Sequence, residues 1–332
     1  MPPRRARNHI LTRNGILLRL TLLLLFLPWR FAIAGEGAGF VLERAQREAG
    51  LGWAAYEAGD YRAALDYFDG AIALRPDDSS YYDGRACTAL ALGHYEEAVA
   101  DFNRAILLFD RAPMYYVDRA NALCKMDRCE VALADFDRAI ALDSVNSRAY
   151  IGRAETLFTL GRHEAALEDY GRAITLAPEN AAYYYQRAFA YGNLEQYDAA
   201  LADLTRAIDL EPDNAAFYNR RAHMLCSVRS ASDTLEDYGM AIALRPNEAV
   251  FYDNRAMLLH ELGRYEEALA DEVQALALCA DDEARLTYLA RRSGTLSALG
   301  QYAEAAGDLS DALNKFWERK PYNCGSQITG GQ

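Results

Sequence analysis

The 332-residue sequence has little of what catalysis, nucleic-acid binding or membrane crossing requires. It holds only five histidines, and no Ser-His-Asp arrangement, carboxylate pair at a cleft or phosphate-binding glycine loop can be found; the glycines read as turn residues. No stretch approaches the ~20 apolar residues of a spanning helix. The formal charge is −13, and the first 34 residues carry arginines but no acid, so their loss would make the remainder still more acidic. Without clustered Lys and Arg there is no footprint for phosphate, which argues against a nucleic-acid partner. Metal and cofactor sites are likewise not expected, and the reading is of a chain that is not an enzyme.

The leader differs from everything after it. Arg4, Arg5, Arg7 and Arg13 precede an apolar run from Leu20 to Leu27, and Ala32, Ile33 and Ala34 stand before Gly35. That order is a secretory signal peptide over residues 1–34 with cleavage near Ala34. The expected mature chain is periplasmic or secreted, with no membrane span. A retained leader would instead make it a membrane-tethered subunit of an envelope assembly. No Cys follows the apolar run to support a lipid anchor.

Residues 181–214 show how the remainder is organised. Tyr184, Ala188 and Tyr191 make one helical stripe; Ala200, Leu204, Ala207 and Ile208 make a second after a polar break at Glu195 and Gln196, and Pro212 ends it. Such a helical hairpin cannot bury both stripes alone, and the chain supplies neighbours at a 34-residue step. Position eight is Ala86, Ala120, Ala154, Ala188, Ala222 and Ala256 in successive units, position twenty is Ala98, Ala132, Ala166, Ala200, Thr234 and Ala268, and position twenty-seven is Ala in every unit. Small residues there let two helices approach closely. The units are 45–78, 79–112, 113–146, 147–180, 181–214, 215–248, 249–282 and 286–319, after a lead-in over 35–44 and before a flexible tail over 320–332.

This pattern, with Gly or Ala at eight, Ala at twenty, an aromatic at twenty-four and Pro at thirty-two, resembles the tetratricopeptide repeat. The resemblance implies an all-α fold: a right-handed superhelical solenoid of antiparallel helix-turn-helix repeats. It departs from the pattern at Thr234 and at the Arg229-Ser230-Ala231 turn, so the sixth unit is expected to be looser or bent. It also implies a non-catalytic scaffold whose concave groove holds a protein or peptide partner, lined from positions two, five, six, nine and thirteen. Here those positions include Asp83, Asp118, Asn121, Tyr185, Phe189, Asn219, His223 and Asn254. Position five carries no Lys, so the carboxylate clamp known in the family is absent.

Seven units carry Arg at position seven and Asp sixteen residues later: Arg85 with Asp101, Arg119 with Asp135, Arg153 with Asp169, Arg187 with Asp203, Arg221 with Asp237, Arg255 with Asp271 and Arg292 with Asp308. Each residue flanks an apolar stripe, so the two are expected to meet across the hairpin as a structural ladder. A carboxylate-binding surface of free arginines is the alternative. His223, Cys226 and His260 form the one grouping with metal or thiol potential, and it lacks a fourth ligand. Of the six cysteines, Cys124 and Cys129 flank one hairpin turn and are placed for a disulfide. Cys324 sits alone in the tail. Partner identity and oligomeric state are not written in the sequence.

Overall fold

The computed structural model describes residues 36–228 and 231–318. The expected signal peptide and its expected cleavage site, the tail with Cys324, and Arg229 and Ser230 of the sixth hairpin's turn lie outside the described residues. Sixteen α-helices make up the described chain: α1 Glu36–Glu57, α2 Tyr61–Leu74, α3 Ser79–Leu92, α4 Tyr95–Leu108, α5 Pro113–Lys125, α6 Cys129–Leu142, α7 Ser147–Thr159 and α8 His163–Leu176; then α9 Ala181–Asn193, α10 Tyr197–Leu210, α11 Ala215–Val228, α12 Ala231–Leu244, α13 Ala249–Glu261, α14 Tyr265–Leu278, α15 Asp282–Ala298 and α16 Tyr302–Glu318. Contacts divide the chain into two compact units, one ending at Leu92 and one beginning at Gly93. The first contains α1 to α3 and the second α4 to α16.

Local chemistry sets the helix ends. Asn146, Asn180 and Asp281 accept hydrogen bonds from backbone N–H groups in the first turns of α7, α9 and α15, while Pro113 begins α5 where a missing N–H costs nothing. The turn inside the hairpin needs one residue with positive φ. Gly161 supplies it at 75° in the fourth hairpin, but Asp127 and Glu195 supply it at 58° and 59° in the third and fifth. A side chain there is strained relative to glycine.

The core runs along the array with no single centre. Ala154, Ala166 and Ala173 are fully buried in the fourth hairpin, as are Ala188, Ala200 and Ala207 in the fifth. The stripe expected on α9 accounts for only part of its burial. Ala188 packs with Ala200 and Leu204 of its own hairpin, whereas Tyr183 and Ala190 pack with Ile151, Ala166 and Tyr170 of the preceding one. A first helix therefore sits between two neighbours and needs two apolar faces, which is why its single-stripe amphipathicity is blurred. A second repeated contact fastens several junctions: Tyr116, Tyr184 and Tyr252 donate their hydroxyls to the carbonyls of Asp110, Pro178 and Pro246 at 3.1 to 3.2 Å, six residues back.

Position twenty-four fills the seam between successive hairpins. Phe136 is fully buried there, against a glycine on the next first helix: a Cβ built on Gly152 would lie 2.3 Å from the Phe136 ring. Thr156, one turn on, returns its hydroxyl to the Gly152 carbonyl at 2.7 Å. The same position in the seventh hairpin holds Glu272, only 3% exposed. Its Oε1 accepts from Thr295 Oγ1 at 2.7 Å, and His260 Nδ1 lies 2.9 Å from the same hydroxyl. Glu272 Oε2 is buried without a partner. Burial, reinforced by the nearby Asp253 charge, pushes this carboxyl up to about 7.

Candidate site: the face of the first helices

The first helices of the second unit are joined to one another by side chains. Arg148 on α7 pairs with Asp118 on α5 at 3.3 Å. Gln186 on α9 donates to Glu155 on α7 at 2.6 Å. The Tyr185 ring on α9 lies 5.3 Å from Phe217 on α11, and the Arg220 guanidinium of α11 covers Phe189 on α9 at 4.6 Å. Asn254 on α13 donates to Asn219 on α11 at 3.0 Å, and Arg291 on α15 pairs with Asp253 on α13. Most of these residues occupy positions five, six and nine, so one strip of each first helix faces its counterpart on the next hairpin.

The strip is uneven in what it offers a partner. Phe189 and Met257 are 43% and 42% exposed, Asn121 and His223 are also exposed, and Tyr185, Asn219 and Asn254 are half-buried. Asp83 and Asp118, expected to line the groove, are instead 4% and 6% exposed. Val117 and Ile151, at position five of the third and fourth hairpins, are also buried. His223 is held below the usual imidazole range by partial loss of water around its ring and by the Arg220 charge, which keeps it neutral over more of the pH scale.

His223, Cys226 and His260 do not converge on one point among the described residues. His260 is turned to Thr295 and to the Tyr265 ring 5.1 Å away, while the Cys226 thiol lies 3.9 Å from the Tyr238 hydroxyl and is pushed up by burial. Cys124 and Cys129, expected as a disulfide pair, carry free thiols. The Cys124 sulfur lies 3.2 Å from Thr156 Oγ1 and burial drives it up to about 11, so it sits as a neutral thiol.

Arginines of the ladder sit beside this strip. Arg119, Arg153, Arg187, Arg221, Arg255 and Arg292 each donate through Nε and Nη2 to both oxygens of the Asp sixteen residues later, at 2.5 to 2.8 Å. The carboxylates are nearly buried, from Asp237 at 4% to Asp135 at 7% exposure. Hydrogen bonding to Asp203, Asp237, Asp271 and Asp308 raises the pKa of Arg187, Arg221, Arg255 and Arg292 further above the guanidinium range. Arg85 donates to Asp69 at 2.5 Å, and Asp101 is buried.

One connection was not anticipated. The third nitrogen, Nη1, reaches backward by the same sixteen residues: Arg119 to Asn103, Arg153 to Asp137 at 2.6 Å each, and Arg221 to Thr205 at 3.3 Å. These partners belong to the preceding hairpin, so one guanidinium ties together helices of two units. Tyrosine rings at position four, Tyr116, Tyr150 and Tyr218, lie 5.6 to 5.8 Å from the same guanidinium groups. The signal was available as a repeat of polar residues at position twenty-five, interrupted at Gly171, Gly239 and Val273.

A one-dimensional stack of 34-residue helical hairpins, with small residues at the close approaches and a polar strip on the first helices, defines a repeat-type interaction fold. The chain belongs to the tetratricopeptide repeat family: profiles described as tetratricopeptide repeat match residues 50–115 and 117–181, 181–214, and 249–280. Among solved structures, a tetratricopeptide repeat protein from Parabacteroides merdae is 15% identical and aligns over 74% of this chain and 97% of its own with a TM-score of 0.58, a likeness of fold. YrrB, described as a TPR protein with an unusual peptide-binding site, is 24% identical over 56% of this chain and 96% of its own at a TM-score of 0.46. MamA from Desulfovibrio magneticus is 20% identical over 51% and 95% at 0.46. No curated protein matches the sequence.

Proposed function

We propose that the protein is a non-catalytic scaffold that holds an extended or helical segment of a protein partner along the strip of first helices. The observation that carries this reading is the exposure of Phe189 and Met257 on a face that also carries the hydrogen-bonded pairs Gln186–Glu155 and Asn254–Asn219. Aromatic and thioether anchors set among hydrogen-bonding groups are what a bound segment uses for affinity and register. The ladder arginines contribute rigidity, because their hydrogen-bonding edges are occupied by aspartates. Among the described residues no helix is long and apolar enough to cross a membrane, and the arginine-led leader supports export with cleavage near Ala34.

Photo-crosslinking in the producing cell tests the face. A benzoylphenylalanine placed at Phe189 or Met257 is expected to capture another polypeptide, and one placed at Leu107, 74% exposed on a second helix, is not. Crosslinks from Leu107 with none from the other two would overturn the assignment. N-terminal sequencing of the protein recovered from the cell tests export: a start near Gly35 supports it, and an intact leader supports the membrane-tethered alternative.

A further inference from the structure

Within the strip, one depression has a chemistry of its own. It lies between the fourth and fifth hairpins, has a volume of about 290 Å³, and is walled by Glu155 and Phe158 of α7, Tyr170 of α8, and Tyr185, Gln186 and Phe189 of α9. We propose that it receives a lysine or arginine side chain of the bound segment. This rests on the groove reading above and adds to it the charge and kind of side chain that the segment presents.

The walls combine a carboxylate with aromatic rings. Ring faces present negative charge to a cation, and four of the walls are aromatic. Glu155 is an exposed carboxylate that has no salt bridge among the described residues, in contrast to Asp135, Asp169 and Asp203, each held by a guanidinium. Its neighbour Gln186 gives it one hydrogen bond and keeps its own carbonyl Oε1 buried without a partner. Partial loss of water around it pushes the Glu155 carboxyl upward, with the Lys125 charge pulling it partly back. The depression thus lowers the cost of that carboxylate only when a positive group arrives. An anion would meet a carboxylate and ring faces, and a plain apolar side chain would bury Glu155 uncompensated.

Phe189 already shows the interaction from its other neighbour. The Arg220 guanidinium covers its ring at 4.6 Å and lies 5.9 Å from Tyr185, yet Phe189 remains 43% exposed with Arg220 in place. Arg220 is not a wall of the depression and makes no ion pair with Glu155. The acidic balance of the whole chain, −13, favours approach of a basic segment.

The test is a fixed array of immobilised twelve-residue peptides probed with purified protein and with its Glu155→Gln variant. The retained peptides are expected to be enriched in Lys or Arg at one register. Replacing that residue by norleucine or citrulline should weaken binding about tenfold, as should Glu155→Gln, a loss in keeping with a cation desolvated between rings and a carboxylate. Replacing Lys alone, or Arg alone, with effect distinguishes the two cations. An unchanged thermal transition in the variant shows that the exposed position leaves folding intact. Peptides retained equally well after norleucine or citrulline replacement, by both proteins, would overturn the basic-side-chain pocket and leave the groove standing. Retention of no peptide at all would overturn the groove and the pocket with it.

Discussion

The seam between the third and fourth hairpins and the seam between the seventh and eighth solve the same packing problem with opposite chemistry. In the first, Phe136 is pressed on Gly152 and excludes water. In the second, Glu272 occupies the ring's position and is satisfied at one oxygen by Thr295, with His260, Asp253 and Arg291 around it. Dry seams gain from burial whatever the pH; a seam built on a carboxyl depends on whether the proton is present. One array therefore contains a stretch of constant stacking and a stretch whose stacking responds to conditions.

Removing the ring should give the largest effect. Phe136→Ala is expected to cost about 3–5 kcal/mol, the range for emptying a fully buried aromatic site, read as lost hydrogen-exchange protection in α6 and α7. Protection there equal to that of the unaltered protein would mean the ring is not what holds the seam.

The Glu272 seam comes next and is tested through pH. The folded chain keeps the Glu272 proton up to about 7, against 4.5 for an ordinary glutamate. Between those values the folded state binds more protons than the unfolded, so stability falls as pH rises from about 4.5 to about 7 and levels off above it. Asp253, raised by burial against the opposing pull of Arg291, adds a slope of the same sign; Arg292 opposes the effect at Glu272. Protection of α15 and α16, corrected for intrinsic exchange, is expected to drop by about 3 kcal/mol over that window. Glu272→Gln should flatten most of the drop, while a slope unchanged in that variant would place its origin elsewhere.

Gly152→Ala sharpens the contrast. A mid-helix alanine ordinarily gains up to about 1 kcal/mol over glycine, but here the new methyl would overlap the Phe136 ring, and a net loss of about 1–2 kcal/mol is expected. A gain in denaturant stability would show that the seam can open to admit it. Smallest are the guanidinium contacts. A double-mutant cycle on Arg153 and Asp169 should give a coupling of about 1 kcal/mol, and one on Arg153 and the exposed Asp137 about 0.3 kcal/mol. Equal couplings would make the tie between hairpins as strong as the tie within one.

The hairpins themselves were legible because their signals are local and recur: alanines at fixed positions, glycine or a polar residue at the turn, an Arg and an Asp sixteen apart. What was not legible depends on the neighbour. Asp118 looks like a groove residue on its own helix, yet it is buried, and Arg148 on the approaching α7 pairs with it. The double burial of α9 was hidden for the same reason, since Tyr183 faces a helix outside its own hairpin. Glu272 was readable as a break in the aromatic column at position twenty-four. Its surroundings come from three helices and no single stretch announces them.

The backward reach of Nη1 has a consequence for how such a chain can change length. Because Arg153 finds partners sixteen residues on either side, excision of a whole 34-residue unit brings the next arginine into the place of the one removed and leaves no guanidinium stranded. Cutting 147–180 would set Arg187, which now faces Gly171, over Asp137. Losing a single helix would orphan charges at both cut ends, so the spacing of the ladder favours insertion and deletion in complete modules.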